Sequence, residues 1–226
     1  MKQGYTHISA IIDRSGSMDH IRTDTEGGFN VFLRDQKEQP GEATISLTTF
    51  DDLIEIEYAM IPIQDAPLFV LKPRGYTALL DAVGITIKNL GENLAAMDEA
   101  DRPEKVLVVI VTDGQENHSR EYSYDQIRGM IEEQTHQYSW EFLFLGANQD
   151  AIMAGGRLGI PAGKSMSYAT NSTSVGNTYE ILSRVSSSYR SSAKGVPLAD
   201  FTRQDRADTM ILSDSIPGAA PMKTQK

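Results

Sequence analysis

Short, strongly apolar runs alternate along the chain with longer stretches whose apolar residues recur at helical spacing, which predicts buried strands separated by helices. The first strand is expected over residues 5–12, through Ile8-Ser9-Ala10-Ile11-Ile12. A helix follows near 18–37, where Phe29, Val31, Phe32 and Leu33 supply the apolar part, Gly27-Gly28 weaken the middle and Pro40-Gly41 end the connection. Strands near 43–50 and 53–60 flank Asp51-Asp52, a two-residue hairpin signal, so one of them runs antiparallel to the rest and the pair lies at a sheet edge. After a helix at 77–97 comes 105–112, whose lack of polar alternation predicts burial on both faces. A short helix near 124–135, a buried strand from Trp140 to Leu145 closed by Gly146-Ala147-Asn148, a helix at 149–157, a short strand at 165–169 and a helix at 177–193 complete the pattern.

This order predicts an α/β fold, doubly wound, with a mostly parallel central sheet, one antiparallel edge strand and helices on both faces. The domain is expected to occupy residues 1–195. Gly195, Pro197, Pro217, Gly218 and Pro221 among brief apolar groups predict an extended C-terminal tail over 196–226, in which Phe201, Met210, Ile211 and Leu212 are candidates to dock on the domain or on a neighbour.

Candidate chemistry lies at the strand ends. Asp13-Arg14-Ser15-Gly16-Ser17 follows the first strand, Val111-Thr112-Asp113-Gly114 ends the most apolar one, and Gly75-Tyr76-Thr77 opens the helix between them. In an open α/β sheet, ligands bind in the crevice outside the carboxyl ends of the strands. Asp, Ser and Thr offer only hard oxygen donors, and no thiolate or histidine stands beside them, which points to Mg²⁺, with Mn²⁺ and Ca²⁺ as compatible ions. In the expected arrangement Ser15, Ser17 and Thr77 touch the ion through neutral hydroxyls and Asp13 and Asp113 act through water, leaving it electrophilic enough to take an outside carboxylate. Each segment also has an ordinary explanation. Asp13 and Ser15 suit a helix N-cap, Asp113 suits a turn before Gly114, and Asn148 and Asp150 suit a turn and a cap. Three such coincidences in order are far rarer than one, so a metal site is the better reading. Asp81, four residues after Thr77, is expected to brace its loop and not to bind metal.

Asp13-x-Ser15-x-Ser17, a distant Thr77 and a distant Asp113 together resemble the metal-ion-dependent adhesion site of the von Willebrand factor A family. Gly75-Tyr76-Thr77-Ala78-Leu79-Leu80-Asp81-Ala82 and Val111-Thr112-Asp113-Gly114-Gln115-Glu116-Asn117 are similar to that family's surroundings, and the resemblance covers about residues 5–195. Residues 144–150, Phe-Leu-Gly-Ala-Asn-Gln-Asp, resemble small bacterial and phage-encoded members. The resemblance implies a Rossmann-like fold, metal ligands at those five positions, and a protein partner that supplies a Glu or Asp carboxylate. An AAA+ ATPase of the MoxR or metal-chelatase kind, served by the domain as adaptor, is the partner class the family suggests.

Composition narrows the rest. A net charge of −10 with dispersed Lys and Arg argues against nucleic-acid binding, and Arg184, Arg190 and Lys194 read as a solvated helix face. No run approaches the roughly 18 apolar residues of a membrane span, and Met1-Lys2-Gln3-Gly4-Tyr5 carries no signal-peptide pattern, so the expected location is the cytoplasm, or host cytoplasm or virion if phage-encoded. Absent cysteines fit a reducing compartment, and Asn117-His118-Ser119 and Asn171-Ser172-Thr173 are read as accidental glycosylation matches. Gly159-Ile160-Pro161-Ala162-Gly163-Lys164-Ser165 fails as a phosphate loop, because three residues separate its glycines and a strand follows. A phosphatase that uses Asp13 as nucleophile lacks the second carboxylate two residues later, where Ser15 stands. His7, His20, His118 and His136 share no ligand spacing. The expectation is a non-enzymatic, Mg²⁺-dependent protein-interaction domain. The alternative is an assembly component, such as one of a phage particle, with a stabilising or vestigial metal site; a metal-dependent phosphatase is a distant third.

Overall fold

A computed structural model describes residues 1–147 and 149–211. Asn148, Leu212 and the expected tail beyond them lie outside the described residues. Among the described residues six strands form one sheet: β1 (Lys2–Asp13), β2 (Glu42–Phe50), β3 (Ile54–Pro62), β4 (Pro103–Thr112), β5 (Glu141–Ala147) and β6 (Ser165–Tyr168). Their spatial order is β3-β2-β1-β4-β5-β6. Every neighbouring pair is parallel except the edge pair β2 and β3. The chain moves outward from β1 to β2 in one direction and returns to β4 on the other side of β1, so the connections diverge at the β1–β4 boundary. That divergence opens the crevice where doubly wound sheets bind ligands.

Among the described residues six α-helices cover the sheet: α1 (Arg22–Glu38), α2 (Leu79–Ala96), α3 (Tyr124–Tyr138), α4 (Ala151–Arg157), α5 (Ser172–Ser191) and α6 (Arg203–Asp208). Alternate side chains of one strand feed two cores, because successive residues point to opposite faces. Ile8, Ala10 and Ile12 pack with Phe29, Phe32 and Leu33 of α1 and Val175, Tyr179 and Leu182 of α5. Ile11, Val108 and Ile110 pack with Val83 and Ile87 of α2 and Ile127 and Ile131 of α3. Gly28 is what allows α1 to approach α5, since a Cβ there would stand 2.2 Å from Cδ2 of Tyr179.

Several expected boundaries shift for local reasons. The first helical segment begins as a 3-10 turn over Gly16–Ile21, and α2 starts at Leu79 because Thr77 and Ala78 belong to the loop before it. Asn171 accepts from the Ser174 amide and so starts α5 five residues early. The hairpin connection holds three residues, Asp51 to Leu53. Arg190 is not on a solvated face: it is 7% exposed, and its guanidinium donates to the carbonyls of Gln36 and Gly41 at 2.5 and 3.2 Å. Beyond Gly195 the chain is extended only as far as Thr202, which caps α6. Leu198 and Phe201 are buried in the α1–α5 core, and Thr209 bonds across to Ser167 and Ala169 beside β6.

Candidate metal centre

β1 and β4 are adjacent and in register through Ile12 and Val111, so Asp13 and Asp113 emerge from the same end of the sheet centre. Asp13 is fully buried and held on both oxygens: Oδ1 accepts from the Ser15 amide at 2.7 Å, and Oδ2 accepts from the Thr112 hydroxyl at 2.6 Å. Ser15 Oγ and Ser17 Oγ lie 3.0 Å apart, and Ser17 Oγ donates to Asp113 Oδ1 at 2.7 Å. Thr77 joins them from the far side of Gly114. A methyl group built on Gly114 would stand 3.0 Å from Thr77 Oγ1 and 3.6 Å from Ser17 Oγ, so the glycine leaves the gap between these hydroxyls open. The five residues named from the sequence therefore meet in one place, with Asp13, Ser15 and Thr77 buried and Ser17 exposed.

The electrostatics of the centre are unbalanced. Burial pushes the Asp13 carboxyl up to about 6, despite the hydrogen bonds from Thr112 and Ser15 that pull it down. Burial also raises Asp113, against the Ser17 hydroxyl and nearby His20. Oδ2 of Asp113 is buried and has no hydrogen-bond partner among the described residues, and His20 Nδ1 is 4.0 Å from it. A buried carboxylate oxygen left unpaired costs on the order of 1–3 kcal/mol or more, and a cation is one partner that would remove that cost. The site thus offers two carboxylates and three hydroxyls around an orphaned acceptor. Among the described residues no group of three or more His, Asp or Glu side chains gathers as a metal cluster, so any ion here would depend on hydroxyl donors.

Supporting residues escaped the sequence reading. Asn117 accepts from the Thr77 amide at 3.0 Å, while the amides of Asn117 and His118 donate to the Thr77 carbonyl. Glu116 accepts from the amides of Leu80, His118 and Ser119. Thr112, Glu116 and Asn117 all fall in the segment that carries Asp113, so their position was visible although their partners were not. Asp81 accepts from the amides of Arg120, Glu121 and Tyr122, which is the bracing part expected of it. His7, fully buried, bonds Thr44 and Ser46 and lies away from the centre.

Among solved structures, the chain is similar to proximal thread matrix protein 1 from the mussel byssus, with 14% identity and a TM-score of 0.57 over 81% of this chain and 46% of that one. A form of the same protein with a zinc-occupied MIDAS motif gives 13% identity and a TM-score of 0.58 over the same shares. A von Willebrand factor type A protein from Catenulispora acidiphila gives 12% identity and a TM-score of 0.54 over 80% of this chain and 42% of that one. The fold is that of a von Willebrand factor A domain. This chain spans less than half the length of those solved chains. By sequence, no family model and no curated protein matches it. The centre just described sits at the C-terminal end of the sheet, beside the paired strands β1 and β4.

Proposed function

We propose that this domain binds a protein partner through a divalent cation, with Mg²⁺ as the resident ion and Mn²⁺ as a substitute. Asp13, Ser15, Ser17, Thr77 and Asp113 would hold the ion. The observation that carries the reading is Oδ2 of Asp113, buried and without a hydrogen-bond partner among the described residues, on the carboxylate that accepts from the Ser17 hydroxyl, an arrangement that a hard cation completes. Once bound, the ion would supply a Lewis-acidic position for a carboxylate from outside. The remaining work belongs to the chain itself: Thr112 and the Ser15 amide fix Asp13, Asn117 fixes Thr77, and Gly114 keeps the approach open.

The partner is read as a protein presenting a Glu or Asp side chain. An AAA+ ATPase of the MoxR kind and an assembly component are the two classes to test first. The zinc-occupied MIDAS motif of the byssus protein supports a cation in a protein of this fold. The reading is one of binding without turnover, since Ser15 occupies the position where a phosphoryl-transfer site of this kind would need a second acid. No helix among the described residues is long and apolar enough to cross a membrane. The test is partner capture from native extract in Mg²⁺ and in EDTA, repeated with Asp13→Ala and Thr77→Ala. Capture that depends on the ion and fails in both variants is expected; capture indifferent to all three changes rejects the proposal.

A further inference from the structure

We propose that Asp51 is a positioning residue for the cation site, acting through Arg14 and Arg74 to hold the Ser15–Ser17 loop against the Thr77 loop. The inference rests on the metal-dependent reading above. It begins with a division of labour between the two oxygens of one fully buried carboxylate. Oδ1 accepts from the Leu53 amide at 2.6 Å, which is all that the hairpin turn asks of an aspartate. Oδ2 accepts from Nε of Arg14 at 2.9 Å and from Nε of Arg74 at 2.6 Å. Arg14 stands inside the first donor loop, between Asp13 and Ser15. Arg74 stands three residues before Thr77. A single oxygen therefore joins the two loops that carry all three hydroxyl donors.

The joint is reinforced from both sides. Glu55 accepts from Nη1 of Arg14 at 2.5 Å and from Nη2 of Arg74 at 2.9 Å. The backbones follow: the Arg74 amide donates to the Arg14 carbonyl at 2.8 Å, the Gly16 amide to the Gly75 carbonyl at 3.2 Å, and the Ala78 amide to the Asp51 carbonyl at 2.8 Å. Gly75 makes the approach sterically feasible. Its φ is +68°, and a Cβ there would stand 2.0 Å from Oδ1 of Asp52 in the hairpin turn. Without the Asp51 carboxylate, only Glu55, about half exposed, would remain between the two guanidinium groups, and the buried part of the joint would be lost. Serine and threonine hydroxyls are weak ligands, so their affinity depends on being held at the right separation. A turn role alone would engage the Leu53 amide and leave Arg14 and Arg74 unused.

The probe is Mn²⁺, followed by water-proton relaxation and electron paramagnetic resonance on the full chain, with thermal melts in EDTA as a measure of the apo fold. Asp51→Asn is expected to weaken Mn²⁺ about tenfold or more, as loss of a supporting partner does at metal sites generally. Because Asp51 is buried and its substitution can also unfold the chain, Arg74→Gln provides a second arm: that side chain is about half exposed, and its loss should weaken Mn²⁺ several-fold with little change in the EDTA melt. Gly75→Ala should weaken Mn²⁺ as well, and adding Asp52→Ala, which removes the clashing carboxylate, should recover part of the loss. A merely structural role would move the melts and give no such recovery in affinity. Wild-type binding that depends on Thr77 but is unchanged in Arg74→Gln and Gly75→Ala overturns the positioning role alone. Failure of the wild type to bind Mn²⁺, or binding unaffected by Thr77→Ala, overturns the metal reading and this inference with it.

Discussion

Ser17 and Asp113, 96 residues apart in sequence, share a 2.7 Å hydrogen bond from the serine hydroxyl to Oδ1, while the other oxygen of the same carboxylate is buried without a hydrogen-bond partner among the described residues. A half-satisfied acid is a liability in the empty site and an asset in a loaded one. Asp113→Asn should therefore have opposite effects in two solutions. In EDTA it removes an uncompensated buried charge and should leave stability unchanged or raise it by about 1 kcal/mol. In Mg²⁺ at about 100 times the dissociation constant, the wild type should gain roughly 2.7 kcal/mol and the variant nothing. Calorimetric melts in both solutions check the prediction, and an equal Mg²⁺ shift in the two proteins counts against it.

His7 gives a pH dependence independent of the metal centre. The ring is fully buried between β1 and β2, and burial lowers its pKa from 6.5 to about 3. The unfolded chain takes up this proton as pH falls below 6.5, whereas the folded chain resists until about 3. The neutral-ring contribution is thus complete above pH 6.5 and is lost between 6.5 and 3, at a limiting slope of about 1.4 kcal/mol per pH unit. His7→Gln removes the titration. Urea titrations at pH 7, 6, 5 and 4 should show the wild type losing stability more steeply than the variant by about that slope below pH 6, and parallel curves would reject the assignment.

The fold and the centre were not equally legible in the sequence. The strands of the central sheet announce themselves because β1 and β4 are buried on both faces and leave near-continuous apolar runs. Asp13, Ser15, Ser17, Thr77 and Asp113 could be named because each lies next to such a strand or opens a helix, where a ligand crevice is expected. What periodicity cannot carry is pairing between distant polar groups. Asp51 looked like a turn residue because its second oxygen acts on arginines 37 and 23 positions away. Arg190 looked solvated for the same reason, since its acceptors lie 154 and 149 residues earlier. Phe201 was a candidate to dock on the domain and is buried there, whereas Leu198, next to Pro197, was not singled out because the local Gly and Pro signal reads as an extended tail.

Two adjacent glycines in α1 make a paired prediction. At Gly27 no atom lies within 4 Å of a built Cβ, so Gly27→Ala should gain up to about 1 kcal/mol of helix propensity. At Gly28 the same methyl would stand 2.2 Å from the Tyr179 ring, which is buried in the core and braced by Phe29. Overpacking there should outweigh the propensity gain and cost about 1–3 kcal/mol. Denaturant midpoints of the two variants should move in opposite directions. Two shifts of the same sign would mean that α1 and α5 are not packed as closely as the structure has them.

Asp81 makes the last prediction, because its carboxylate accepts from three consecutive backbone amides, those of Arg120, Glu121 and Tyr122, at 2.7–2.9 Å. Asp81→Ala leaves those donors to water and loosens residues 120–122 from α2, while the backbone amide of residue 81 still reaches Ser119. Asp81→Asn keeps a carbonyl oxygen that can serve one or two of them, so its effect should fall between wild type and alanine. The cost is expected at about 1–3 kcal/mol for alanine, felt first as local opening and only partly as global unfolding. Amide hydrogen exchange is the direct readout: residues 120–122 should exchange at least about tenfold faster in Asp81→Ala, while amides of β4 stay protected. Since Asn117 in the same loop holds the Thr77 amide, the loosened segment should also weaken Mn²⁺ binding. Faster exchange without any change in Mn²⁺ affinity would separate the brace from the cation site.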